Sequence, residues 1–186
     1  MIIFVGGIIG AGKSTVAKGL AGHFGFPYYA VDEVKKEVFR QDPDFDRNMA
    51  EGIPFSDTLR REVFERVFQD LERLVDDHPH IVVDETLHKR DIRHFLYEKA
   101  EAIAGGFVVI WVQAREDVIL RRLGAARRSG HILEDPLPLH HAFRREFEEY
   151  DRCVIDCHNN GTADETVADL VHLFEAVGRL ASSRVP

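Results

Sequence analysis

The chain has 186 residues, and its 24 Lys and Arg against 32 Asp and Glu give a net charge of -8 at pH 7, which opposes general attraction to nucleic-acid phosphates. Hydrophobic residues make up 45% and charged residues 30%, an ordinary globular composition, and the length suits one domain with a central sheet between two helix layers. No apolar run approaches 18 residues, which excludes a membrane-spanning helix.

Ile2-Ile3-Phe4-Val5 is a continuous apolar run ending in Gly-Gly, as expected of a strand buried on both faces. The apolar start has no basic leader and is broken by Gly6, Gly7, Gly10 and Gly12, so it reads as strand and loop, not as a signal peptide. The expected location is the cytoplasm. From Lys13 the pattern turns helical, with Val16, Leu20 and Phe24 at four-residue spacing and Gly25 and Pro27 closing the helix. Tyr28 to Val31 reads as a second strand ending at Asp32, and Asp42 to Pro54 as loop or short helical turns.

Ser56 is placed to cap a long helix whose stripe runs from Leu59 through Val63, Val67 and Leu71 to Val75. Ile81-Val82-Val83 is a third strand stopping at Asp84-Glu85, and Ile92, Leu96, Ala100 and Ile103 mark the next helix, stopped by Gly105-Gly106. Phe107 to Val112 is a fourth strand, followed by a helix from Asp117 to about Arg127. Ser129-Gly130 and Pro136 to Pro138 then bracket an irregular segment. Leu139, Phe143, Phe147 and Tyr150 predict another helix, Cys153 to Asp156 a fifth strand, and Val167, Leu170, Val171, Phe174 and Val177 a last helix. Cys153 and Cys157 are too few for a disulfide framework and are spaced wrongly for a zinc ribbon, so they read as small side chains on or beside a strand. Strands alternating with helices predict a parallel α/β sandwich.

Gly7-Ile8-Ile9-Gly10-Ala11-Gly12-Lys13-Ser14 satisfies G-x-x-x-x-G-K-[ST] at every position, between a predicted strand and a predicted helix. The chemistry needs this pattern. Glycines let the backbone wrap an anion with its N–H groups turned inward, and the following helix adds the positive end of its dipole. Gly7, Gly10, Ala11, Gly12, Lys13, Ser14 and Thr15 are therefore the expected binding loop for a nucleoside triphosphate, with ATP and Mg2+ as cofactors. Lys13 would reach the β- and γ-phosphates, and Ser14 would ligate Mg2+. Asp84, after three β-branched residues at a strand end, is the second expected metal residue.

A GTPase is disfavoured because Asn159-Asn160-Gly161-Thr162 is not Asn-Lys-x-Asp and Asp84-Glu85-Thr86-Leu87 is not Asp-x-x-Gly. A hydrolytic ATPase or switch keeps one point in its favour, the Asp84-Glu85 pair, whose Glu would activate water. A nucleotide-binding regulator without chemistry is a third class. A kinase accounts for more residues. Asp32 would meet an acceptor hydroxyl and accept its proton, and Arg121, Arg122, Arg127 and Arg128 crowd a segment suited to a mobile, charge-neutralising lid.

These motifs resemble the small "predicted kinase" branch of the P-loop kinases, related to gluconate, shikimate and adenylate kinases. The resemblance runs from the loop at Gly7 through Val31-Asp32-Glu33-Val34 and Arg47 to Ser56. It continues through Val82 to Thr86 with Lys89, Arg90 and Arg93, to Trp111-Val112 and Arg122-Leu123. It implies sheet order 2-3-1-4-5, an acceptor region over about residues 33–78 and a lid over about 121–138. It also implies substrate contacts from Asp32 and from Arg90 or Arg93, phosphate contacts from Arg127 or Arg128, and adenine beside His158 to Thr162. The acceptor would be a small molecule. Glu85 stands where the branch commonly has Ala, and Arg122 and Arg127 are five apart where its lid arginines are four apart.

Overall fold

The computed structural model of the protein describes residues 1–51, 55–128 and 137–182. In chain order its elements are β1 (Ile2–Gly6), α1 (Lys13–Phe24), β2 (Tyr28–Ala30), α2 (Val31–Phe39), α3 (Phe45–Glu51), α4 (Asp57–Asp77) and β3 (Ile81–Asp84). They continue with α5 (Arg90–Ala104), β4 (Phe107–Gln113), α6 (Glu116–Arg128), α7 (Leu137–Glu146), β5 (Ile155–His158) and α8 (Ala163–Ser182).

All five strands are parallel, in the order β2-β3-β1-β4-β5. Alternation along β1 divides its side chains between two cores. Ile2 and Phe4 join Ile81 and Val83 under α2, α4 and α5, whereas Ile3 and Val5 join Val82, Ile110 and Val112 under α1 and α8. Both faces of β1 are therefore dry, which is why its sequence is apolar without a break. Burying each such side chain contributes roughly 1.5–3 kcal/mol.

Local signals set most element ends. Ser56 Oγ accepts from the Leu59 N–H at 3.3 Å and caps α4. Gly25 and Gly105 take left-handed conformations after α1 and α5, as a helix stop requires. No helix among the described residues is long and apolar enough to cross a membrane.

Three expectations need correction. The second strand ends at Ala30, and Asp32 lies in the first turn of α2, with Ala30 at the cap position. Strand β5 begins at Ile155, two residues later than the cysteine-led reading placed it. Cys153 is thus exposed ahead of the strand and Cys157 is buried within it. Helix α7 ends at Glu146, so Phe147 and Tyr150 do not continue its stripe. Their rings instead pack on Trp111 at the end of β4, with centroids 4.7 and 5.1 Å away.

Candidate nucleotide-binding site

The carboxyl ends of β1 and β3 lie side by side, with Val5 in register with Asp84. The loop leaving β1 is stitched to the loop leaving β3, since the Gly7 N–H donates to the Thr86 carbonyl at 3.3 Å and the Glu85 N–H to the Val5 carbonyl at 3.3 Å. Sheet register thereby brings Lys13, at the start of α1, to 3.9 Å between its Nζ and Asp84 Oδ1. Asp84 is only 6% exposed; its Oδ2 accepts from the Tyr28 hydroxyl at 2.9 Å, while Oδ1 is buried without a hydrogen bond. Burial and the Asp84 carboxylate both raise the Tyr28 pKa, so this hydroxyl stays a donor. A buried carboxylate oxygen left unpaired costs free energy unless something positive completes it. A cation beside Oδ1 would complete it, and Ser14, beside Lys13 in the first turn of α1, could offer a hydroxyl to the same ion.

The cradle itself is braced from outside. Gly10 and Gly12 have φ of +88° and +92°, and a Cβ on Gly12 would collide with the Asn159 amide. Asn159, 1% exposed in the loop after β5, donates from Nδ2 to the Ala11 carbonyl at 2.9 Å. Arg122 Nη1 of α6 donates to the same carbonyl at 3.1 Å, and its Nη2 reaches Asn159 Oδ1 at 3.3 Å and the Gly161 carbonyl at 3.2 Å. In a trans peptide the carbonyl and the next N–H point in opposite directions, so holding the Ala11 carbonyl from outside fixes the Gly12 N–H. Sequence reasoning placed Asn159 only within a loop expected beside the adenine and read Arg122 as a lid charge, so the bracing role of both was missed. Neither role has a local signal, because the partners are 148 and 111 positions apart. Beside them a cavity of about 450 Å³ is lined by Arg121, Arg122, Ala125, Gly161, Thr162 and Glu165, against the loop from His158 to Thr162.

On the other side of Asp84, Asp32 is exposed and Lys35 stands one helical turn along α2. Lys35 Nζ is 3.1 Å from Asp32 Oδ1 and reaches Glu85 Oε1 and Oε2 at 2.9 and 2.7 Å. Lys35, and after it Lys13, holds the Asp32 pKa below the usual carboxylate range. Burial opposes charge on Lys35, but Glu85 and Asp32 outweigh it and keep the ammonium protonated. Neither Lys35 nor the pairing of Glu85 was read from the sequence. Helical i,i+3 spacing offered Asp32–Lys35, but Glu85 comes from another element. His88, against the ring of Phe143, is pushed down to about 4 by burial and then by nearby Lys35, so it is neutral at physiological pH.

Arg90 and Arg93 part company. Arg90 is exposed at the start of α5, with its Nε 3.9 Å from Asp151. Arg93 is fully buried and donates to three carbonyls, those of Leu87 and Glu148 from Nη1 at 2.9 Å each and that of Glu149 from Nη2 at 2.7 Å. Its guanidinium also lies 4.5 Å from the Tyr150 ring centroid. A substrate contact from Arg93 is therefore corrected to a scaffold role. It anchors Leu87, whose φ of +58° is unusual for a residue with a Cβ, just beyond Asp84-Glu85-Thr86. Arg93→Met would strip three carbonyls of their donor, and a loss of about 3–5 kcal/mol is expected in urea unfolding. The backbones of Arg127 and Arg128 end α6, but their side chains, like the whole of 129–136 in the expected lid, lie outside the described residues.

The AAA domain family model matches residues 3–135. No curated protein sequence matches the chain. Among solved structures, the protein is similar to a gluconokinase from Sinorhizobium meliloti 1021, with 25% identity over 99% of this chain and 97% of that one and a TM-score of 0.70. A sugar kinase from Janibacter sp. HTCC2649 is 18% identical over 94% of each chain, with a TM-score of 0.70. The APS kinase of Mycobacterium tuberculosis, solved with AMPPNP and APS, is 19% identical over 94% of this chain and 96% of that one, with a TM-score of 0.60. With its parallel sheet in the order 2-3-1-4-5 and its P-loop sequence at Gly7 to Ser14, the chain belongs to the AAA domain family and has the fold of the small P-loop kinases.

Proposed function

We propose that the protein is a phosphotransferase that moves the γ-phosphate of Mg-ATP to a hydroxyl of a small-molecule acceptor. The observation that carries this reading is the convergence on one sheet edge of Lys13, the buried and half-satisfied Asp84, and the ionised Asp32. The kinases among the similar structures support it.

In this reading the Gly7 to Thr15 loop binds the phosphates through inward N–H groups and the start of α1. Adenine sits in the cavity between α6 and the loop after β5. Lys13 lies against the β- and γ-phosphates and stabilises the charge that spreads over the transferring group, with Arg127 and Arg128 contributing from the end of α6. Ser14 and Asp84 would hold Mg2+, which would supply positive charge against the phosphates. Asp32, ionised at neutral pH, orients the acceptor hydroxyl and takes its proton. Arg90 contacts the acceptor from the start of α5.

The competing hydrolytic reading needs Glu85 free to activate water. Instead Glu85 is buried and both its oxygens are within 2.9 Å of Lys35 Nζ, which opposes that role. The test is a metabolite panel with γ-labelled ATP and Mg2+, covering sugar acids, sugars, nucleosides and nucleotides. Label transferred to a hydroxyl-bearing acceptor is expected. Label released only as inorganic phosphate, at a rate no acceptor changes, would return the protein to the ATPase reading.

A further inference from the structure

His140 is one of the largest fully buried side chains and lies on α7, 131 positions from the loop it touches. Its Nδ1 is 2.8 Å from the Ile9 carbonyl, in the middle of the phosphate-binding loop. A carbonyl only accepts, so Nδ1 carries the proton. Nε2 is buried with no hydrogen-bond partner, which leaves the contact to Ile9 as the polar anchor of the ring. Burying an imidazole with one nitrogen unpaired is costly, and nothing about packing alone requires a histidine there.

Ile9 precedes Gly10, whose φ of +88° is one that glycine adopts without strain. No cis peptide occurs among the described residues, so fixing the Ile9 carbonyl toward α7 turns the Gly10 N–H away from α7. Asn159 and Arg122 do the same at Ala11 for the Gly12 N–H, and the Ala11 N–H closes on the Ile8 carbonyl at 3.1 Å. The carbonyls of Ile8, Ile9 and Ala11 are thus each held, the first from within the loop and the other two from distant parts of the chain. His140 supplies the one at the centre.

We infer that His140 is a positioning residue that locks the Ile9–Gly10 peptide so that the Gly10 N–H is presented to the triphosphate. The inference rests on the reading of Gly7 to Ser14 as the ATP site. It needs no acceptor, and it assigns α7 a part in nucleotide binding.

The amide nitrogen of Asn overlays a histidine Nδ1, whereas that of Gln overlays Nε2, so His140→Asn keeps the donor and His140→Gln moves it off the carbonyl. AMPPNP affinity with Mg2+ would be measured by calorimetry on both variants and the parent, with urea unfolding alongside and nucleotide KM, acceptor KM and kcat wherever turnover is found. The expected result is parent-like affinity for H140N and about ten-fold weaker binding for H140Q, the usual worth of one well-placed hydrogen bond. Nucleotide KM should rise with it while acceptor KM stays put. Equal affinity in the two variants, or a Gln deficit matched by unfolding of the protein, overturns the inference. If neither variant folds, the histidine serves the fold alone and the inference is also overturned. A parent that never transfers phosphate, yet shows the Asn–Gln split in AMPPNP affinity, would reject the kinase reading and leave His140 in place.

Discussion

Replacing Lys13 with alanine should lower phosphoryl transfer by about 10²–10³, equivalent to roughly 3–4 kcal/mol, because one preorganised charge stabiliser is removed from the transferring group. The fold should survive. Lys13 opens α1, where alanine is a good helix former, and its ion pair with Asp84 is a long one at 3.9 Å. Asp84 keeps its hydrogen bond from Tyr28. Initial rates with saturating acceptor, read beside a thermal melt, separate the two effects. A variant that melts like the parent and turns over at the parent rate would remove Lys13 from the catalytic assignment.

Asp32→Asn should cost on the order of 10²–10⁴ in acceptor phosphorylation, the range expected when a positioned proton acceptor is lost. ATP affinity should hardly change, since Asp32 lies in α2 and not in the phosphate loop. Stability should change by less than about 1 kcal/mol, because the Asp32–Lys35 pair is partly exposed. The isosteric amide keeps the shape of Asp32 but cannot accept a proton, so the loss would fall on kcat. Acceptor-independent hydrolysis supplies the contrast. An ATPase would be indifferent to Asp32→Asn and would lose activity in Glu85→Gln. That opposite pattern would sink the phosphotransferase reading.

The loop expected to bind the phosphate donor could be read from the sequence because its signal is local. Eight consecutive residues carry the loop, and the strand before it and the helix after it announce themselves by apolar run and by four-residue spacing. Asp84 was legible for a similar reason, as a carboxylate closing a β-branched run. What braces the loop was not. Asn159, Arg122 and His140 hold its carbonyls across more than a hundred positions each, and nothing in their neighbourhoods distinguishes them from ordinary polar residues. Arg93 shows the converse error. The family resemblance offered it a substrate role, and only its burial against three carbonyls reveals a scaffold. Phe147 and Tyr150 kept a helical period but left the helix, because stacking on Trp111 and carbonyl contacts to Arg93 outweighed the local pattern. The shift of β5 is of the same kind: partners on β4 from Ile110 to Gln113 set its register, and Cys153 and Val154 fall outside it.

The position of β1 has a consequence for how the molecule can vary. Flanked on both edges by β3 and β4, with no residue of it exposed, it belongs to the part that opens last. Amide exchange should therefore be slowest in β1 and faster in the short helix α3. The expected phosphate loop hangs from this strand, whereas the expected acceptor region is carried by α2 to α4, outside it. Changes that retune acceptor choice can accumulate there without loosening the anchor of the triphosphate, so the two halves of the site are free to evolve at different rates.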